Sequence, residues 1–183
     1  ELGFREEDFL ILTVAEMTKN KNHITHLQAL ALLKNKPDFA NMHYLIVGRG
    51  EEWPNLEQSA KELGIADHVH FLGYRTDAPD LYRCSDLFLF MSFREGLSVA
   101  LMEAMGSGMP IICTEIRGNT DLVDNGVSGM FSQNTPEAVS EAILELYRDP
   151  QKRASYGAAA AQKVKLFDNE NVHSQVKGIY LSV

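Results

Sequence analysis

Apolar residues fall in six short runs: FLILTVA (9–15), MHYLIVG (42–48), HVHFLG (68–73), DLFLFMS (86–92), PIICTE (110–115) and SGMF (128–131). Longer segments of helical spacing separate them, at 22–35, 51–64, a short 77–84, 96–108 and 118–126. Runs that are apolar at consecutive positions read as strands covered on both faces, and the amphipathic segments between them as crossovers. The pattern predicts a doubly wound α/β fold with a mostly parallel, six-stranded, Rossmann-like sheet, since right-handed crossovers place helices on both faces.

Beyond Phe131 the pattern turns helical. TPEAVSEAILELYRDP opens with Thr135 as N-cap, Pro136 at the first helical position and Glu137 in the first turn, and Pro150 marks its end. Two further helices are predicted, over 151–167 and 168–183. Ligands of open parallel sheets sit outside the carboxyl ends of the strands, which selects loops 16–23, 48–52, 73–77, 92–98 and 115–121.

Composition narrows the function. With 183 residues, 45% hydrophobic and 23% charged, the chain is expected to form one soluble domain. A net charge of -8 without a basic run argues against a nucleic-acid partner. Cys84 and Cys113 form no CxxC spacing, so neither a disulfide framework nor a zinc site is suggested, and a reducing cytoplasm fits. No apolar run reaches the roughly 18 residues of a membrane span. The opening ELGFREEDF reads as the end of a linker, which predicts a domain excised from a longer protein.

The chemistry concentrates in FREGLSVALMEAMGSGMP (93–110), where Glu95 and Glu103 flank the start of an apolar helix expected from about Leu97. Free N–H groups from Gly96 to Val99, with the helix dipole, favour a phosphate there, and Gly96 lets the backbone come close. At helical rise the two glutamates stand roughly 12 Å apart, too far for one acid/base pair. The spacing suits an extended ligand with hydroxyls at both ends and phosphate between, such as a sugar nucleotide. A solvated loop residue and a helix-surface carboxylate are the plainer reading, and the residues alone leave the two level.

FREGLSVALMEAMGSGMPII resembles the E-x7-E signature of retaining glycosyltransferases of family 4, and VHFLGYRTDAPDLYRCSDLFLFMSFREGL is similar to the segment that precedes it. The resemblance runs from about Phe9 to Tyr180. It implies the nucleotide-sugar-binding, C-terminal half of a two-domain GT-B enzyme whose acceptor domain is absent. It implies that Glu95 contacts hydroxyls of the donor sugar, that Glu103 binds the ribose, and that the backbone of Gly96, Leu97 and Ser98 approaches sugar and diphosphate. AEMTKNKNH resembles the phosphate loop, with Lys21 at the lysine that neutralises the diphosphate and Glu16 where the family has arginine.

By the same resemblance, the loop holding Tyr74 and Arg75 meets the base, and Gly118 and Asn119 belong to the donor loop, a simple turn being the equal alternative. The implied activity is retaining transfer from a UDP-sugar, needing no metal or other cofactor, in bacterial surface polysaccharide synthesis. The whole enzyme would touch the cytoplasmic face of the membrane through its other half, and this chain alone would not turn over. A non-catalytic nucleotide-sugar-binding module and a GT-B-like UDP-sugar epimerase are the alternatives.

Five smaller features have bland readings. VGRGEEW gives Gly48 and Gly50 but no third glycine of a dinucleotide fingerprint, so a tight turn is expected. Gly126 and Gly129 read as turn residues, and Trp53 as packing its helix. His68 and His70 lack a third ligand and read as packing or surface residues rather than a metal site. His23 and His26, at a helix start, are expected on the surface.

Overall fold

A computed structural model describes residues 3–168. Among these residues six parallel strands form one sheet: β1 (Phe9–Val14), β2 (Met42–Val47), β3 (Val69–Gly73), β4 (Leu87–Phe90), β5 (Ile111–Thr114) and β6 (Met130–Ser132), in the spatial order β3-β2-β1-β4-β5-β6. Each lies within an expected run except β6, which extends one residue past it. Register is direct over β1 and β2, with Ile11 opposite Tyr44, and on the other flank Ile11 is opposite Leu87.

Among the described residues five α-helices connect the strands, α1 (His23–Leu33), α2 (Trp53–Glu62), α3 (Ala78–Cys84), α4 (Val99–Gly106) and α5 (Asn119–Leu122), and two follow the last strand, α6 (Pro136–Arg148) and α7 (Pro150–Lys163). The predicted helix over 168–183 lies outside the described residues, apart from Asp168. Alternation along the strands divides the core in two. Phe9, Ile11, Tyr44, Ile46, Leu87, Leu89 and Ile112 face a layer with Leu27 and Leu30 of α1, Leu56 of α2 and Ile143 of α6. Leu10, Leu12, Leu45, Phe88, Phe90 and Cys113 face Leu81 of α3, Leu101 and Met105 of α4 and Leu122 of α5. Each large side chain so buried, Phe88 or Ile11 for example, contributes about 1.5–3 kcal/mol relative to exposure.

The helix boundaries follow local chemistry. Thr135 caps α6 by accepting the Ala138 N–H, with Pro136 following it as expected. Asp149 ends α6 and at once caps α7, its Oδ1 accepting the Lys152 N–H at 2.8 Å. Trp53 packs α2 onto β3, its ring 5.7 Å from that of Phe71. No helix among the described residues is long and apolar enough to cross a membrane.

Candidate functional site

The strand order turns back on itself between β1 and β4, and the loops that leave the carboxyl ends of these two strands meet there. The Phe93 N–H donates to the Asn20 carbonyl at 2.9 Å. Asn20 Nδ2 donates to the Arg94 carbonyl at 2.9 Å and Asn22 Nδ2 to the Met91 carbonyl at 3.2 Å. Asn22 is buried and left-handed, with φ 53°, a conformation that asparagine tolerates because its short amide bonds locally. Its Oδ1 accepts from Thr25 at 2.9 Å, fixing the turn into α1.

Across this seam Lys21 Nζ lies 2.7 Å from Glu95 Oε1, and the Glu95 side chain is only 9% exposed. The ammonium also sits 5.2 Å from the centre of the Phe90 ring. Two residues 74 positions apart thus form a shielded ion pair at the edge where a ligand would bind. Gly118 presses onto the same loop: its φ is +92°, and a Cβ there would stand 2.1 Å from the Gly96 carbonyl oxygen. Gly96 itself has open space where a Cβ would go. Asn119 does not face outward; it is fully buried and braces the loop by donating Nδ2–H to the Thr114 carbonyl at 3.0 Å.

The helix after Glu95 begins later than the sequence pattern predicts. Its first residue is Val99, with Ser98 as N-cap accepting the Leu101 N–H at 3.3 Å. Leu97 is exposed, in an irregular stretch with Glu95 and Gly96. Glu103 is therefore about one turn inside α4, some four residues or about 6 Å from its start. The 12 Å estimate assumed helical rise through residues 95–98, which are not helical. Nor is Glu103 immersed among its apolar neighbours: it is exposed, and its Oε2 accepts the Tyr82 hydroxyl at 3.0 Å. Burial, reinforced by the Glu103 charge, pushes the Tyr82 phenol well above its usual range.

Beneath the seam lies a polar relay that the sequence reading missed. His23 and His26 are buried, not on the surface. Glu16 exposes its side chain, and its carbonyl, which can only accept, places the His23 proton on Nε2 at 3.1 Å. The Met91 N–H donates to His26 Nε2, so His26 carries its proton on Nδ1, against the Tyr44 hydroxyl. Tyr44 in turn donates to Thr13 Oγ1 at 3.0 Å, and Thr13 to the Leu89 carbonyl at 2.6 Å. Burial lowers His23 to about 4, with Lys21 adding to the effect and the Glu16 carbonyl opposing it. Burial also holds His26 well below its ordinary value.

Of the remaining predicted residues, Tyr74 is 71% exposed just past β3. Arg75 donates through Nε to Asp77 at 2.7 Å, which lowers the Asp77 carboxyl, and lines a groove of 440 Å³ with Leu81 and Cys84 beside Gly3–Glu6. Gly48 and Gly50 make more than a turn. Added Cβ atoms would come within 2.0 Å of the Ala15 oxygen and 2.3 Å of the Met17 oxygen, so both let the loop after β2 lie against the one carrying Lys21. Gly126 has φ +75°, as a turn requires, and a Cβ on Gly129 would meet Val123. His70 Nε2 lies 3.1 Å from His43 Nδ1, and His68 Nδ1 donates to the Met42 carbonyl at 2.8 Å. No cluster of three or more metal-ligating side chains occurs among the described residues.

A family model described as "Glycosyl transferases group 1" matches residues 1–163. The chain is 29% identical over 185 residues to the N-acetyl-alpha-D-glucosaminyl L-malate synthase of Bacillus anthracis, covering all of this chain and 48% of that protein. It is 29% identical over 150 residues to an Escherichia coli UDP-Gal:alpha-D-GlcNAc-diphosphoundecaprenol alpha-1,3-galactosyltransferase, covering 81% and 39%. Among solved structures, Anabaena HepE in complex with UDP-glucose superposes with a TM-score of 0.86 at 25% identity, covering 96% of this chain and 49% of that one. The chain spans about half the length, or less, of these relatives.

Proposed function

The chain belongs to the group 1 glycosyl transferases, and from that premise we propose that it is the donor-binding part of a retaining enzyme that moves a sugar from UDP to an acceptor held by the rest of the protein. The observation that carries this reading is the Lys21–Glu95 pair at the strand-order reversal, beside the start of α4. A nucleotide sugar laid along this edge would place its diphosphate at Lys21 and the Gly96–Ser98 backbone, its sugar hydroxyls at Glu95 and its ribose at Glu103. Lys21 would exchange part of its contact with Glu95 for the phosphate and stabilise the leaving nucleoside diphosphate as charge develops. Glu95, released on one oxygen, would accept from the sugar.

Glu16 offers no cation where the family pattern has arginine, so Lys21 and the backbone N–H groups would carry the diphosphate between them. No metal is needed in this scheme. Tyr74 and the backbone beside Arg75 would meet the base. HepE is solved in complex with UDP-glucose and the name of the E. coli relative gives UDP-Gal as its donor, which supports UDP as the nucleotide; synthesis of a bacterial surface polysaccharide at the membrane's inner face is the setting proposed with it.

Calorimetric titration of the chain with UDP, with ADP and GDP as controls, tests the reading. UDP is expected to bind saturably and more tightly than either control. Glu103→Ala, which removes hydrogen bonds to a charged acceptor, should weaken UDP by roughly 10- to 100-fold. Absence of saturable binding, or an unchanged affinity in the variant, would overturn the assignment.

A further inference from the structure

Tyr82 stands out because a buried tyrosine donates its hydroxyl hydrogen to an exposed carboxylate, that of Glu103. The ring is 2% exposed on α3, packed 5.8 Å from that of Phe88, while the carboxylate that receives its proton is open to solvent on α4. An exposed glutamate samples many rotamers, and holding one of them costs side-chain entropy on binding. A hydroxyl fixed by a packed ring removes that freedom beforehand. It occupies one acceptor position on Oε2 and leaves Oε1 and the remaining lone pair of Oε2 free to accept from outside.

We propose that Tyr82 is a positioning residue: through its 3.0 Å hydrogen bond it holds the Glu103 carboxylate in the orientation that receives two adjacent ribose hydroxyls of the nucleotide. This rests on the reading of Glu103 as the ribose-binding carboxylate. The arrangement suits a vicinal diol, because a carboxylate with one acceptor position taken by Tyr82 keeps both oxygens able to accept. A nucleotide lacking the diol has nothing to gain from that orientation.

The test is a cycle of Tyr82→Phe against the sugar hydroxyls, with UDP and 2′,3′-dideoxy-UDP titrated into both forms of the chain. Phenylalanine keeps the ring against Phe88 and leaves no buried polar atom unpaired, since Glu103 turns to water; an unchanged thermal midpoint and near-ultraviolet circular dichroism check this. The variant is expected to bind UDP about 5- to 10-fold more weakly than the wild-type chain, the cost of ordering one side chain on binding, and to bind the dideoxy nucleotide as the wild-type chain does. If discrimination between the two nucleotides persists undiminished in the variant, or both weaken alike, Tyr82 is a packing residue and the proposal fails alone. If the wild-type chain binds neither nucleotide, or both equally, Glu103 does not hold the ribose and both readings fall together.

Discussion

At the residue scale the site depends on two glycines that differ in kind. Gly118 combines φ +92° with a backbone contact that no Cβ can enter, so it is required by both conformation and space. Gly118→Ala should destabilise the chain by about 2–3 kcal/mol and displace the Glu95–Gly96 peptide, read as a lower urea midpoint together with weaker UDP binding. Gly96→Ala meets nothing within the fold and should change stability by less than about 1 kcal/mol while still hindering a ligand that approaches the backbone. Equal loss of stability in the two variants would contradict this distinction. The signature FREGL shows that a glycine stands at 96, yet nothing in it reveals that Gly118, twenty-two residues on, presses against it. Contacts of that kind depend on strand order, which local periodicity does not encode.

At the element scale, the sequence places a helix after Glu95 but misjudges its start. Apolar residues stand on both sides of Ser98, at Leu97 and from Val99 to Met102, so hydrophobic spacing alone does not mark where the helix starts. The break is made by Ser98, whose extended backbone and side-chain acceptor form the cap. Ser98→Ala should cost about 1 kcal/mol of stability and Ser98→Gly only a few tenths, measured by chemical denaturation, because glycine retains the N-cap conformation. A larger loss for glycine than for alanine would show that the cap bond is not what holds this end of α4. Thr135 was legible by the same chemistry, since Pro136 and Glu137 follow it and mark the boundary. The cap of α4 has no such flanking signal. Tyr82 was illegible for a different reason: α3 and α4 are brought side by side only by the strand between them.

At the scale of the whole molecule, the buried histidines join the core to the site and make stability depend on pH. His23 titrates at about 4 in the folded chain against about 6.5 when unfolded. Between these values the unfolded state binds the extra proton, so stability is full above pH 6.5 and falls as pH drops toward 4. His23 contributes about 3 kcal/mol to that fall, and His26, whose folded value is also lowered, adds loss of the same sign. Urea midpoints recorded between pH 4 and 7 should decline through this window, and His23→Gln should flatten the decline; a slope unaffected by the variant would sink the assignment. Since His23, which holds the Glu16 carbonyl, stays neutral in the folded chain down to about pH 4, its native contact persists across the window and the decline is one of stability. The sequence by itself determined the alternation of strands and helices, the double-faced sheet and the loops that could hold a ligand, because these follow from hydrophobic period and turn chemistry along the chain. Only the tertiary structure decided that Lys21 meets Glu95, that Tyr82 holds Glu103 and that His23 and His26 lie inside. Those pairings join residues from loops and helices far apart in sequence, and the β3-β2-β1-β4-β5-β6 order that brings them together is set by the packing of the whole sheet.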